Sequence, residues 1–332
     1  MDLLRFQRIF EKEPRYRLNQ AKRAIFQDLI SSWSEATVFS LELREKLNKE
    51  CPIEIFGEVS VSKDKDAERA LILLKDGLRI ETVLMRHQDR NTICVSSQVG
   101  CPLGCSFCAT GKIGFKRNLE IGEIIDQVLF YARRLKKDKE KINNIVFMGM
   151  GEPFLNYENV IGAIRILNDK DGLNLGVRHF SISTIGIIEG IEKLSRESLQ
   201  INLAISLHAP TDELRSKIMP VNKRYPISDI LDAVDSYIKK TNRRVMFEYV
   251  MIKGVNNSEK EARGLAKLMK KPLYFVNLIS YNPTGDFKPS LASTVKRFKG
   301  ILEKEGVAVT QRYRFGQDIA GACGQLAGKD SN

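Results

Sequence analysis

From residue 87 onward, short apolar, β-rich runs alternate with amphipathic stretches, and this alternation constrains the fold more than any other feature. The runs fall at 93–97, 145–148, 180–184, 203–207, 245–251 and 274–278. Between them, segments such as 121–135, 227–239, 259–269 and 293–305 repeat apolar residues at helical spacing. Each return from one strand to the next through a helix makes the two strands parallel, so about six βα units predict an α/β fold built on a parallel sheet. A partial or full α/β barrel of this kind gathers its functional groups at the C-terminal strand ends. A doubly wound sheet fits the same periodicity nearly as well.

The residues before this core have a different character. Residues 1–50 show helical spacing with separated apolar and basic faces, as in Tyr16-Arg17-Leu18-Asn19-Gln20-Ala21-Lys22-Arg23, and are expected to form a small helical accessory domain. Residues 51–86 contain two β-like runs, 67–74 and 78–85, joined by Lys75-Asp76-Gly77, a good hairpin signal. The core is then expected over 87–317, and 318–332 form a C-terminal loop and tail. The basic run 133–139 reads first as a solvated helix end and second as an RNA contact.

With 332 residues, 43% of them hydrophobic, the chain can bury a full core, and disorder is not its default. Lysine and arginine outnumber aspartate and glutamate by 53 to 41, a net +12 that suits a polyanionic partner such as nucleic acid. No apolar run reaches the ~18 residues of a membrane span, and the start Met1-Asp2-Leu3-Leu4-Arg5 lacks a signal-peptide core, so a cytoplasmic protein is expected. Six cysteines are too few for a disulfide scaffold in a chain this long. In a reducing compartment their chemistry points to metal or catalysis.

Their spacing sharpens that reading. Cys101-Pro102-Leu103-Gly104-Cys105-Ser106-Phe107-Cys108 is a C-x3-C-x2-C triplet directly after the first core strand. Three thiolates this close can hold three irons of a cubane [4Fe–4S] cluster and leave the fourth iron open. A structural zinc site wants a fourth protein ligand, yet no other Cys or His follows within the next seventy residues. Two further cysteines stand apart. Cys94 precedes the triplet by seven residues, and Cys323 lies in Gly321-Ala322-Cys323-Gly324-Gln325-Leu326, where flanking glycines would let a reactive thiol move. Taken singly, each reads more simply as a buried strand residue and a tail thiol. Cys51 has no such context and reads as structural.

A C-x3-C-x2-C triplet after the first strand of an α/β barrel resembles the radical S-adenosylmethionine (SAM) superfamily. The motifs Cys94-Val95-Ser96-Ser97-Gln98-Val99-Gly100-Cys101, Met148-Gly149-Met150-Gly151-Glu152-Pro153, Ser206-Leu207-His208-Ala209-Pro210 and Ala322-Cys323-Gly324-Gln325-Leu326 narrow the likeness. Together they resemble the adenine-C2 RNA methyltransferases of the RlmN type and their adenine-C8 relatives of the Cfr type. The likeness covers about 79–328; the helical domain matches in character rather than in motif.

The resemblance implies a partial (βα)6 radical SAM barrel with one [4Fe–4S] cluster on Cys101, Cys105 and Cys108. It implies that Cys323 carries an S-methylcysteine intermediate and that Cys94 resolves the protein–RNA adduct through a transient disulfide with Cys323. Glu81, which by itself would read as an outward hairpin carboxylate, matches the family's proton acceptor. Gly151, Glu152, Ser183, Ser206, Leu207, His208 and Asn282 match SAM-binding positions, all expected at the C-terminal rim of the strands. One departure is visible: Ala320 stands where the family usually carries a second acidic residue before the cysteine.

The implied substrates are an adenine of 23S rRNA and the adenine 3′ of the anticodon in tRNA, methylated at C2 with two SAM per turnover. The implied electron source is a flavodoxin- or ferredoxin-like donor, and a monomer is the default expectation. Any target base must be looped out of its stack to reach a buried radical. Basic faces in 1–50 and 131–141 are candidate phosphate contacts. Two alternatives remain at this stage: C8 methylation of the same rRNA adenine, which would confer antibiotic resistance, and a non-catalytic iron–sulfur RNA-binding factor, which would need neither Cys94 nor Cys323.

Overall fold

A computed structural model describes residues 1–285 and 287–328; the last four residues of the expected C-terminal tail lie outside the described residues. The N-terminal domain contains α1 (Leu3–Phe10), α2 (Arg15–Phe26) and α3 (Leu41–Glu50). Its helices close over Phe6, Phe10, Trp33 and Phe39, and the Trp33 indole donates to the carbonyl of Cys51 at 2.8 Å. Cys51 is fully buried there, as a structural cysteine should be.

Then follow β1 (Gly57–Val61), β2 (Ala67–Leu73), β3 (Arg79–His87) and β4 (Arg90–Cys94), paired antiparallel in that order. Lys75-Asp76-Gly77 makes the expected turn between β2 and β3, with Gly77 at φ 81°. The β-hairpin is continuous with the core: β3 pairs with β4, so residue 87 is the end of a strand inside the main sheet. Two short strands, β5 (Gln98–Gly100) and β6 (Phe115–Asn118), form a separate ribbon, with α4 (Ala109–Lys112) between them.

The remaining strands and helices alternate, except that two helices stand between β9 and β10. They are α5 (Ile121–Lys137), β7 (Asn144–Phe147), α6 (Tyr157–Asn168), β8 (Phe180–Thr184), α7 (Ile188–Leu194), β9 (Asn202–Ser206), α8 (Asp212–Ile218), α9 (Ile227–Thr241), β10 (Val245–Met251), α10 (Glu259–Met269), β11 (Tyr274–Ser280), α11 (Ala292–Lys304) and β12 (Val309–Gln311). The sheet order is β1-β2-β3-β4-β7-β8-β9-β10-β11-β12, parallel from β4 onward. Strand order follows chain order and never reverses. A doubly wound sheet needs a reversal, and right-handed crossovers that always step the same way place every helix on one face. This is an open, singly wound α/β sheet, the partial-barrel alternative, with all C-terminal strand ends at one rim.

The first core strand departs from expectation, covering 90–94 rather than 93–97. The Gln127 side chain explains the early end: its Oε1 accepts from Ser96 N–H at 2.7 Å and its Nε2 donates to Ser96 O at 3.0 Å, replacing a strand partner. The chain is thereby freed to turn into β5 and the cysteine loop.

In the basic run 133–139, Lys136, Lys137 and Lys139 are exposed, as expected of a solvated helix end, while the two arginines before them turn to protein partners. Arg133 donates to the Ile53 carbonyl, Arg134 pairs with Glu68 at 2.9 Å, and Lys136 donates to the Asp28 carbonyl. Arg133 and Lys136 tie residues 28 and 53 to α5, and Arg134 ties β2 to it.

Arg215, on α8, is fully buried. Its guanidinium donates to the carbonyls of Leu207 (3.1 Å), Ile185 (2.6 Å) and Tyr225 (3.0 Å) and to Asn222 Oδ1 (2.8 Å). Burial depresses its pKa to about 10. Its bonds fix the loops after β8 and β9, and each buried carbonyl it leaves behind would be costly. Arg215→Ala should therefore destabilise the protein by about 3 kcal/mol or more, lowering the thermal midpoint by roughly 5–10 °C. Lys217→Ala on the same helix, an exposed partner of Glu213, should stay within about 0.5 kcal/mol. Equal melting curves for the two variants would refute this role of Arg215.

Candidate active site

Two cavities adjoin over the sheet, an inner one at the C-terminal strand ends and an outer one that runs from there to Arg90, Thr92 and Asn144 at the starts of β4 and β7. The inner one is lined by Cys101, Cys105 and Cys108 together with Gly151, Glu152, Ser183, Ser206 and His208. The outer one, about 400 Å³, is lined by Cys94 and Asn282 and opens past Arg90 and Tyr313. Its volume lies in the range of small-ligand sites. Cys323, Met148 and Arg312 line both. The thiol of Cys323 therefore stands where the two cavities meet.

The cysteine loop begins at Gly100, whose φ of 76° and close approach to the Gly114 carbonyl leave no room for a side chain. Burial pushes the Cys101 thiol up to about 12, and Cys105 is raised by burial and then by Cys108 and Cys101. Thiolates this close repel one another, and a cation bound between them would offset that repulsion. Among the described residues no three Cys, His, Asp or Glu side chains converge on one ion. Cys101, Cys105 and Cys108 line the same cavity, and three thiols on one short loop are the donor set that would hold an iron–sulfur cluster with one iron left open.

Gly151 takes φ 96° and passes so close to Gln98 that a Cβ would lie 2.5 Å from the Gln98 Cβ. Glu152 follows, 2% exposed. Burial raises its pKa to about 7, against the lowering effect of the Ile185 and Phe154 amides that its carboxylate accepts at 2.9 and 3.0 Å. His208 is buried at φ 60°, a left-handed conformation uncommon for a side-chain-bearing residue. Burial lowers its pKa to about 4, and its Nδ1 accepts the Val250 N–H at 3.1 Å, so the ring is neutral with its proton on Nε2. Leu207 is fully buried, and its carbonyl is held by Arg215.

Two residues missed by sequence reasoning tie the site together. Glu248, in the middle of β10 and 4% exposed, accepts from Arg312 Nη2 at 2.6 Å and from Ser183 Oγ at 2.6 Å. Arg312, just past β12, also donates from Nη1 to the Cys323 sulfur at 3.3 Å. Burial would lower the Arg312 pKa, but Glu248 and then Cys323 outweigh it and hold the guanidinium charged. A Glu inside the apolar run Val245-Met246-Phe247-Glu248-Tyr249-Val250-Met251 was the available signal, because a buried carboxylate needs a partner. Cys94 ends β4, its thiol raised by burial and then by Cys323.

The loop carrying Cys323 is anchored. Ala109 N–H donates to the Gly324 carbonyl at 2.7 Å, Thr110 to the Leu326 carbonyl at 2.6 Å, and Asn282 Nδ2 to the Cys323 carbonyl at 3.0 Å. Asn282 thus faces the outer cavity and the loop. Glu81 is buried, the opposite of an outward carboxylate. Its Oε1 accepts from Arg69 at 2.8 Å, and its Oε2 accepts the amides of Ala327 and Gly328 at 2.6 and 3.0 Å. Burial nevertheless raises its pKa. Ala320 takes φ 50°, a conformation that Asp and Asn enter more readily than Ala.

Comparison with known proteins agrees with this geometry. Residues 95–266 match the Radical SAM superfamily. A Dictyoglomus turgidum protein named as a probable dual-specificity RNA methyltransferase RlmN is 47% identical over 316 residues, 95% of this chain and 91% of that one. A Chloroflexus aurantiacus protein of the same name is 44% identical over 334 residues, 96% and 89% of the two chains. The crystal structure of a radical SAM methyltransferase from Sphaerobacter thermophilus superimposes with a TM-score of 0.95 at 42% identity, covering 98% of this chain and 97% of that one. The chain belongs to the radical SAM superfamily and, within it, to the family of RlmN-type methyltransferases.

Proposed function

We propose that this protein methylates C2 of an adenine in 23S rRNA and of the adenine 3′ of the anticodon in tRNA, through a methylated Cys323. The observation that carries this reading is the place of Cys323, which lines both the inner cavity with the three-cysteine triplet and the outer cavity that opens past Arg90 and Tyr313. A non-catalytic iron–sulfur factor has no use for a thiol there.

When bound at Cys101, Cys105 and Cys108, a [4Fe–4S] cluster with one open iron supplies the electron that cleaves SAM reductively. The chain's own groups prepare and finish the reaction. Gly151 gives SAM backbone clearance, Glu152 offers a carboxylate to its ammonium group, and Ser183 and Ser206 face its ribose. Leu207, His208 and Asn282 complete the rim around it. Arg312 holds the Cys323 sulfur toward the shared space, where it is methylated and later bears the carbon that bonds to the base. Glu81 accepts a proton beside the loop.

Cys94 then attacks the Cys323 sulfur. An S–S bond forms, the C–S bond breaks, and its electron pair passes to the methylene carbon bonded to the base, which takes a proton and becomes the methyl group. The disulfide needs two electrons before another turnover. A flavodoxin- or ferredoxin-like donor supplies the low-potential electron, and the protein acts as a monomer.

Anaerobic reaction of the cluster-loaded protein with SAM, reductant and protein-free RNA should yield 2-methyladenosine by mass spectrometry. Finding 8-methyladenosine instead would assign the C8 reaction, and SAM cleavage without any methylated nucleoside would sink the RNA reading. Cys323→Ala should reduce product to background with no protein–RNA adduct. Cys94→Ala should also lose turnover but accumulate a covalent adduct, visible as RNA-dependent retardation in a denaturing gel. Adduct-free inactivity of Cys94→Ala would rule out its resolving role.

A pH dependence follows from Glu152. Its pKa is raised to about 7, so the carboxyl is neutral below that pH and charged above it. A cationic ammonium is attracted only by the charged form, so SAM affinity should rise as pH increases through about 7. Glu152→Gln should bind SAM more weakly and show no such rise; calorimetry at several pH values checks both.

A further inference from the structure

We propose that Tyr313 and Phe315, backed by His87, form a stacking platform for a nucleobase adjoining the target adenosine, with Arg90 and Arg314 receiving the neighbouring phosphates. This deepens the reading of the outer cavity as the RNA entrance and rests on it.

The three rings form one cluster at the cavity mouth. Tyr313 and Phe315 lie 4.9 Å apart at 59°, and His87 meets them edge-on at 5.7 and 6.0 Å. Tyr313 is 63% exposed. A ring of that size held at a cavity rim by two others presents apolar area to solvent, and such area marks a binding surface.

The charges identify the occupant. Arg90, Arg312 and Arg314 line the cavity, and no acidic side chain among the described residues does. Arg312 is committed to Glu248 and Cys323, whereas Arg90 and Arg314 are exposed and form no ion pair among the described residues. Cations beside an exposed aromatic platform are the combination that binds single-stranded nucleic acid: phosphates take the charge, and any base offers a face for stacking. The floor of the same cavity carries Cys94 and Cys323. A base turned into it would leave its neighbour at the rim, against Tyr313.

The test uses the full-length, cluster-loaded protein and a fluorescein-labelled RNA stem-loop with an adenosine in its loop, read by anisotropy and by methylation kinetics. Tyr313→Ala should weaken binding by about tenfold, the loss of one base stack, and raise the KM for RNA accordingly. Tyr313→Trp should retain binding. An abasic residue beside the target adenosine, tried on each flank in turn, should on one flank cost the wild type a similar factor and cost Tyr313→Ala little more. Arg90→Gln and Arg314→Gln should each flatten the slope of log affinity against log salt by about 0.7, and Tyr313→Ala should leave the slope unchanged. Because the Tyr313 ring is exposed, melting curves should coincide.

If the wild type binds and methylates the stem-loop while Tyr313→Ala binds within twofold of it, the platform is overturned and the proposed function stands. If abasic RNA costs both proteins equally, the platform is likewise overturned. If the wild type neither binds nor methylates the RNA, the function falls and the platform falls with it.

Discussion

The ion pair between Glu248 and Arg312 organises the site. A carboxylate in the middle of a buried strand is expensive unless its oxygens are bonded, and here one takes the guanidinium and the other the Ser183 hydroxyl. Because Arg312 follows β12, the last strand of the sheet, meeting Glu248 on β10 fixes where the C-terminal segment leaves the sheet. Arg312 then has a second donor for the sulfur of Cys323. One largely buried pair thus links Ser183, in the inner cavity, to the Cys323 thiol that lines both cavities.

That linkage makes sense of the two cavities. Radical chemistry needs exclusion of water and competing hydrogen donors, whereas a large RNA needs an open approach. A single cavity cannot satisfy both. Dividing the space and seating Cys323 in the dividing wall lets one sulfur face each side without a large motion. The anchors on its loop, from Ala109, Thr110, Asn282 and Glu81, hold the wall in place. Of the glycines beside Cys323, Gly324 takes φ 84°, a left-handed turn that a side-chain-bearing residue enters only at a cost.

The βα alternation, the cysteine triplet and the motifs at strand ends were legible because each is local: periodicity, spacing and a short run of residue types. Choosing the partial barrel over the doubly wound sheet was not local. Both give the same alternation, and only the order of strand pairing separates them. The early end of β4 likewise depended on Gln127, 31 residues from Ser96. Glu81 illustrates the same limit more sharply, since its buried surroundings come from residues 69, 327 and 328, none of which is near it in the chain. The positive run 133–139 divides, with Arg133 and Arg134 on protein partners and Lys137 and Lys139 exposed, a division that composition cannot show.

The stretch Gln311-Arg312-Tyr313-Arg314-Phe315 brings these scales together. It continues from β12 at the sheet edge. Arg312 reaches the buried carboxylate and the thiol, while Tyr313 and Arg314 are exposed at the mouth. The geometry that holds the reactive sulfur and the geometry of the rim are therefore set by one backbone segment. A shift of that segment moves both, so the register of β12 on β11 is a constraint on chemistry as well as on fold. An edge strand only three residues long is a weak holder of register by itself. The ion pair across to β10 supplies what the short ladder lacks.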